Sequence, residues 1–137
     1  MTATIRPARA ADVSGVLALW READVEPSHT DDVHSVTRLL AHDPKALIVA
    51  DAAGLVVGSV IAAWDGWRGS IYRLAVAPSH RRRGLGGRLV LEAQRRLAED
   101  GARRLQAIVI ETDAQATGFW RSTGWEQQIE RVRFVKG

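Results

Sequence analysis

The spacing of apolar and polar positions changes period along the chain, and those changes divide it into elements. A short strand is expected at 3–7. Val13, Val16, Leu17 and Trp20 then fall at i, i+3, i+4 and i+7, which predicts a helix over 10–23 with Asp12 in its first turn. A polar loop with Pro27 covers 26–32. Val33, Val36, Leu39 and Leu40 mark a second helix that ends before Asp43-Pro44, because a residue preceding proline is pushed out of the helical region. From there the period is that of strands. Residues 46–50 are apolar, 51–54 read as a turn, and Leu55–Trp64 is a long β-rich run. Asp65-Gly66 signals a hairpin into a strand at 70–76, and Pro78 ends that strand. Leu85, Leu89, Ala93 and Leu97 form one stripe of a helix at 84–99, with Gly101 at its C-cap. The run 105–110 is almost continuously apolar, as expected of a strand buried on both faces. A short helix at 114–123 is closed by Gly124. Ile129, Val132 and Phe134 alternate with Arg131 and Arg133, which predicts a last strand at 129–135.

The expected order is β-α-α-β-β-β-α-β-α-β, an α/β fold with a mixed sheet, antiparallel hairpins early and a βαβ unit late. The 137 residues suit a single domain over 1–137. The absence of cysteine removes disulfides, thiolate nucleophiles and cysteine zinc sites. The opening residues lack the apolar core of a signal peptide, and the longest apolar stretch falls well short of the ~18 residues of a membrane span. A cytoplasmic chain with no membrane contact is therefore expected. Net charge is only +3 although the pI is 10.2, because the basic residues are almost all arginine. Charge alone is a weak warrant for nucleic-acid binding.

The segment 74–88, Leu-Ala-Val-Ala-Pro-Ser-His-Arg-Arg-Arg-Gly-Leu-Gly-Gly-Arg, carries the most chemistry. A strand ends there and an arginine- and glycine-rich turn opens a helix. The first turn of a helix has unpaired N–H groups and the positive end of the dipole. Gly84, Gly86 and Gly87 let a diphosphate approach the backbone, and Arg81, Arg82, Arg83 and Arg88 add positive charge. No Gly-Lys-Ser/Thr follows, so this is not a Walker loop, and Leu89 stands where a dinucleotide fingerprint has its third glycine.

Leu74, Val76, Pro78, Arg81, Gly84 and Gly86 match the pattern Leu-x-Val-x-Pro-x-x-Arg-x-x-Gly-x-Gly. This resembles the acetyl-CoA motif of the GCN5-related N-acetyltransferase (GNAT) superfamily. The likeness extends to Ile5-Arg-Pro-Ala-Arg with Asp12 at the start and to 113–125 at the end. Trp64-Asp-Gly-Trp-Arg-Gly is similar to the hairpin of a bacterial subgroup named for the YpeA acetyltransferase.

The resemblance implies a strand at 70–76 splayed from its parallel partner, with the pantetheine arm of acetyl-CoA between them. It implies that Leu74, Ala75 and Val76 offer main-chain bonds, that the Leu74 N–H is the oxyanion donor, and that the turn from Arg81 through Leu85 to Arg88 holds the pyrophosphate. One oxyanion donor is typically worth about 3–4 kcal/mol of barrier. The amine would attack the thioester directly. Acetyl-CoA is the expected co-substrate, with no metal. Asp113 and Trp120 stand where the family has Asn and an acidic Tyr, and an indole N–H cannot act as an acid near neutral pH. Tyr72, two residues before Leu74 and so on its face, and Glu111 are the candidate proton carriers.

The region joining the first two helices lines the acceptor site in this family. Glu22, Asp24, Glu26, Asp31 and Asp32 there suit a cationic acceptor or are solvated loop charges. Asp65, Trp67 and Arg68 in the hairpin are further acceptor-side candidates, Asp65 also being read as a turn residue. A small-molecule or peptide amine is the expected acceptor. A CoA-binding regulator that has lost catalysis is the alternative, motivated by Trp120. Dimers are common in the family, and nothing in the sequence specifies one.

Overall fold

The computed structural model describes residues 2–23, 25–109 and 114–137, which form two compact units, Met1–Ala107 and Ile108–Gly137. The first unit is built on a five-stranded sheet in the order β1 (Thr4–Pro7), β2 (Leu47–Ala52), β3 (Leu55–Trp64), β4 (Gly69–Val76) and β5 (Leu105–Ala107). The first four strands pair antiparallel, and β4 pairs parallel with β5. Helices α1 (Val13–Glu22), α2 (Val33–His42) and α3 (Leu85–Asp100) complete the unit. The predicted helix at 10–23 begins as a 3-10 turn over Ala10–Asp12 and becomes α-helical at Val13.

The helices cover both faces of the sheet. Trp20 of α1 reaches Ser59, while the pro-Cβ position of the neighbouring Gly58 points at Leu89 of α3, 2.9 Å from its Cδ1. Adjacent strand residues face opposite ways, so α1 and α3 lie on opposite faces. Gly69 has the same role further along: a Cβ there would stand 2.9 Å from Leu97 Cδ1 and 2.7 Å from Leu105 Cδ2. The glycines let α3 sit directly on β3 and β4. The predicted stripe of Leu85, Leu89, Ala93 and Leu97 is buried, as are Val13, Val16, Leu17, Leu19 and Trp20 of α1. Gly101 caps α3 in the left-handed conformation, φ +103°.

Two arginine clusters tie the elements together. Arg6 of β1 pairs with Asp12 at 2.8 Å and with Asp51 of β2 at 3.0 Å. The guanidinium holds the Asp12 carboxyl below the usual range. Arg96, buried on α3, donates to the Ala62 carbonyl and to Asp43 after α2.

Two expectations fail here. The run 105–110 is not a strand buried on both faces: β5 covers Leu105–Ala107 only, Gln106 and Ile108 are exposed, and Ile110 lies outside the described residues. As the edge of the sheet, β5 has one neighbour, so its apolar residues have less to pack against. In the second unit, α4 (Ala114–Ser122) and the closing Gly124 appear as predicted, but 129–135 forms no strand. Ile129, Val132, Phe134 and Val135 are exposed. Alternation makes a strand only where the backbone finds a ladder partner, and this segment has none among the described residues. No helix of the described residues is long and apolar enough to cross a membrane.

Candidate active site

Strand β4 is irregular where the candidate chemistry lies. Ile61 faces Tyr72 and Ser59 faces Ala75, so one residue of β3 stands opposite two of β4, Arg73 and Leu74. This is a bulge, and Arg73 occupies it with a left-handed φ of +54°. The side-chain alternation is reset there. Through their partners Ile61 and Ser59, Tyr72 and Ala75 share a face. Two-residue spacing places Tyr72 beside Leu74 only in an unbroken strand, and the bulge between them breaks that relation. Tyr72 is about half exposed.

The other edge of β4 opens in the same place. Its pairing with β5 runs from Gly69↔Leu105 to Ile71↔Ala107 and stops. Beyond Ile71, that edge of β4 has no strand partner among the described residues. The Ala77 N–H donates to Val57 O at 2.8 Å, on the β3 side. Amides alternate along a strand, so the Val76 N–H turns to the open edge.

After β4 the chain makes a 3-10 turn, Pro78–His80, and then the glycine-rich start of α3. Arg82 (φ +64°) and Gly84 (φ +75°) are both left-handed, a backbone pattern that gathers successive N–H groups into an anion-binding concavity. Gly84 is the N-cap and supplies no side chain. The first helical bond runs from the Arg88 N–H to Gly84 O, at 3.1 Å. The amides of Leu85, Gly86 and Gly87 precede it and have no helical acceptor. A Cβ at Gly84 or Gly87 would meet nothing within 4 Å. Arg82 and Arg83 are exposed and have no ionic partner among the described residues. Uncapped amides, open approach and two spare cations fit a pyrophosphate. Arg81 and Arg88 are differently engaged. Arg81 bonds to Val76 O and Ala23 O, each at 3.2 Å, and Arg88 Nη2 to Ala3 O at 3.1 Å.

The acetyltransferase (GNAT) family model matches residues 14–125. The chain belongs to the GNAT family. Acetyltransferase YE1169 of Yersinia enterocolitica is 33% identical over 124 residues, covering 90% of this chain and 88% of that protein. Two solved structures share the fold. The PaiA N-acetyltransferase of Thermoplasma acidophilum in complex with coenzyme A has a TM-score of 0.81 at 15% identity, covering 93% of this chain and 92% of that one. AAC(6')-Iy in complex with the bisubstrate analogue CoA-S-monomethyl-acetylneamine has a TM-score of 0.78 at 20% identity, covering 100% and 99%. This GNAT chain is an acetyl-CoA-dependent N-acetyltransferase, with acetyl-CoA as co-substrate.

On the α1 side of the GNAT sheet, a cavity of about 500 Å³ is lined by Leu17, Trp20, Arg21, Val25, Pro27, Ser28 and Asp31. The acidic residues there divide by role. Asp31 forms a fork with Arg73, 3.1 Å to Nε and 3.0 Å to Nη2, and accepts the Ser28 N–H at 3.0 Å. Asp32 caps α2 by accepting the Ser35 N–H at 2.7 Å, which holds its carboxyl below the usual range. Glu22 and Glu26 are exposed, and Asp24 lies outside the described residues. At the hairpin tip, Asp65 Oδ1 accepts the amides of Trp67 and Arg68 at 2.7 and 2.6 Å, the bonding of a turn residue, and these amides lower its carboxyl pKa. Trp67 is 70% exposed, with the Arg68 guanidinium 4.1 Å from its ring centroid.

In the second unit, Trp120 packs edge-on against Phe119 and Trp125, at 5.5 and 4.9 Å between centroids. Glu111 and Asp113 lie outside the described residues. Sequence reasoning overlooked the side-chain cluster behind the bulge. The Trp20 indole N–H donates to Ser59 Oγ at 2.8 Å, and Ser59 Oγ donates to Arg73 O at 2.9 Å. The only signals were an arginine in an apolar strand and a serine in the most buried one.

Proposed function

We propose that this GNAT enzyme moves the acetyl group of acetyl-CoA to a primary amine, carried by a small molecule or a peptide, by direct attack on the thioester. The amine nitrogen bonds to the thioester carbon and the C–S bond breaks. The thiolate leaves, and the ammonium proton passes to it or to water. The observation that carries this reading is the bulge at Arg73 and Leu74, set on the open edge of β4. The Leu74 N–H, in the bulge, serves as oxyanion donor, and the Ala75–Val76 backbone aligns the pantetheine arm. The amides from Arg82 to Gly87 hold the pyrophosphate, with Arg82 and Arg83 adding charge.

No acid is assigned to Trp120, whose surroundings are aromatic. Positioning and the oxyanion donor carry the rate, because a thiolate leaves without prior protonation. The acceptor enters the cavity beside Trp20, where Glu22 and Glu26 are, among the described residues of this region, the exposed carboxylates free to attract an ammonium group. Asp65 is held by its own turn, so Trp67 and Arg68 are the hairpin residues available to an acceptor. A soluble cytoplasmic setting suits this co-substrate.

The test follows free thiol on mixing enzyme, acetyl-CoA and a panel of primary amines, with acetyl-CoA affinity measured by calorimetry. Thiol release above background with at least one amine is expected. Tight acetyl-CoA binding with no thiol released across the panel would overturn the catalytic reading.

A further inference from the structure

Arg73 is half-buried, strained and bonded at both ends. Its main chain is the bulge, and its carbonyl oxygen accepts from Ser59 Oγ, which Trp20 holds in turn. Its guanidinium spans to the loop between α1 and α2, making the fork with Asp31 and a bond to Glu26 O at 3.1 Å. The same guanidinium lies 5.5 Å from the Trp20 ring centroid. A loop of mostly exposed polar residues is thus anchored to the strand that carries the proposed oxyanion amide, by a planar donor whose geometry lysine cannot reproduce.

A surface arginine could serve the same loop from an ordinary strand position. A left-handed φ is unfavourable for a residue with a Cβ, and glycine would adopt it freely. Arginine thus stands at an unfavourable backbone position, and its side-chain bonds to Asp31 and Glu26 O offer the compensation.

We propose that Arg73 is a two-ended positioning residue of the transfer reaction. Its carbonyl, pinned by Ser59, fixes the amide bulge, and its guanidinium fixes the loop that receives the acceptor. The bulge half rests on the reading of the Leu74 amide as oxyanion donor; the loop half does not.

Two variants separate the ends. Arg73→Gly keeps the left-handed bulge and removes the guanidinium. Ser59→Ala keeps the guanidinium and frees the carbonyl. Hydroxylamine serves as an acceptor probe too small to need the loop, and amide hydrogen exchange over 25–32 reports loop order. For Arg73→Gly, exchange in the loop rises about tenfold or more, because the loop loses its charge-assisted anchor. Its melting temperature stays within a few degrees of wild type, so the change in exchange is local to the loop. For Ser59→Ala, hydroxylamine turnover at saturating acetyl-CoA falls about tenfold, a fraction of the effect of deleting an oxyanion donor outright. Its acetyl-CoA affinity and loop exchange are unchanged. Trp20→Phe provides a second route to the bulge should Ser59→Ala fail to fold. Arg73→Lys restores the loop only in part.

The proposal is overturned if Arg73→Gly leaves loop exchange at the wild-type level, if Ser59→Ala raises loop exchange as well, as plain destabilisation would, or if Ser59→Ala leaves hydroxylamine turnover at the wild-type level. A wild-type enzyme that binds acetyl-CoA yet does not accelerate its reaction with hydroxylamine removes the oxyanion reading and the bulge half with it. The loop measurement then decides the other half alone.

Discussion

The start of α3 and the loop between α1 and α2 are both polar connections beside β4, and they are built from different materials. The first is made of backbone: left-handed Arg82 and Gly84, three uncapped amides, and open space where side chains would stand. The second is made of side chains that reach it from elsewhere, above all the fork between Asp31 and Arg73, 42 positions away. A backbone site tolerates most side-chain truncation and fails when a Cβ or a charge intrudes. A side-chain site fails at single substitutions, and each failure is specific to one partner.

The largest effect should come from Gly86→Glu. It places bulk and negative charge over the first-turn amides, and acetyl-CoA affinity should fall by more than about a hundredfold, ~3 kcal/mol of binding. The helix should still form, as far-UV circular dichroism would show. Retained affinity would refute the backbone-built site. Leu89→Ala, under the same helix, should cost about 2–5 kcal/mol of stability, read from denaturant unfolding. It should spare the intrinsic acetyl-CoA affinity of the folded fraction, because Leu89 supports α3 from below and not at its open end.

Gly84→Ala sharpens the contrast. Nothing surrounds the new methyl, so the cost should be conformational only, about 1–2 kcal/mol of stability. A much larger loss of stability would mean that the left-handed residue does more than turn the chain. Removing Arg82 or Arg83 should weaken acetyl-CoA binding only several-fold, and that difference should shrink as salt rises, since both cations are exposed. A loss comparable to Gly86→Glu would transfer the site from backbone to side chains.

The smallest effect concerns acid. The Asp12 carboxyl is held below its ordinary value of 3.8, chiefly by its hydrogen bond to Arg6. A carboxylate with a depressed folded pKa contributes stability above its unfolded pKa and loses it as pH falls through the folded value. The melting temperature should therefore decline below about pH 4. Asp12→Asn should flatten that part of the decline and lower the plateau above it. Asp65 offers the parallel case in which backbone amides act first and the charge of Arg68 adds least, so its share of the decline should be less sensitive to salt.

Nine of the ten expected elements appear among the described residues, 105–110 only as the short edge strand Leu105–Ala107, because each carries its own period or punctuation. The α3 stripe, Gly101 and Asp65-Gly66 state helix, cap and hairpin within a few residues of chain. The tenth, at 129–135, has the alternation of a strand but not the partner that would make it one. The glycine-rich start of α3 was legible for the same local reason: glycines and a proline at fixed spacing act through the backbone they belong to. The bulge was not. Nothing in Tyr72-Arg73-Leu74 announces an extra residue, because a bulge is a mismatch between two strands and exists only once Ser59 faces Ala75.

The sequence by itself determined the elements up to α4, the family and the co-substrate, since short-range periods and glycine positions act within one turn or strand. Only the tertiary structure decided that Arg81 and Arg88 bond to the backbone carbonyls of Ala23 and Ala3, that Asp31 pairs with Arg73 while Asp32 caps α2, and that Arg73 joins the bulge to the loop between α1 and α2. Those depend on which groups meet across the fold, and a side chain's partner is set by packing, not by its neighbours in sequence.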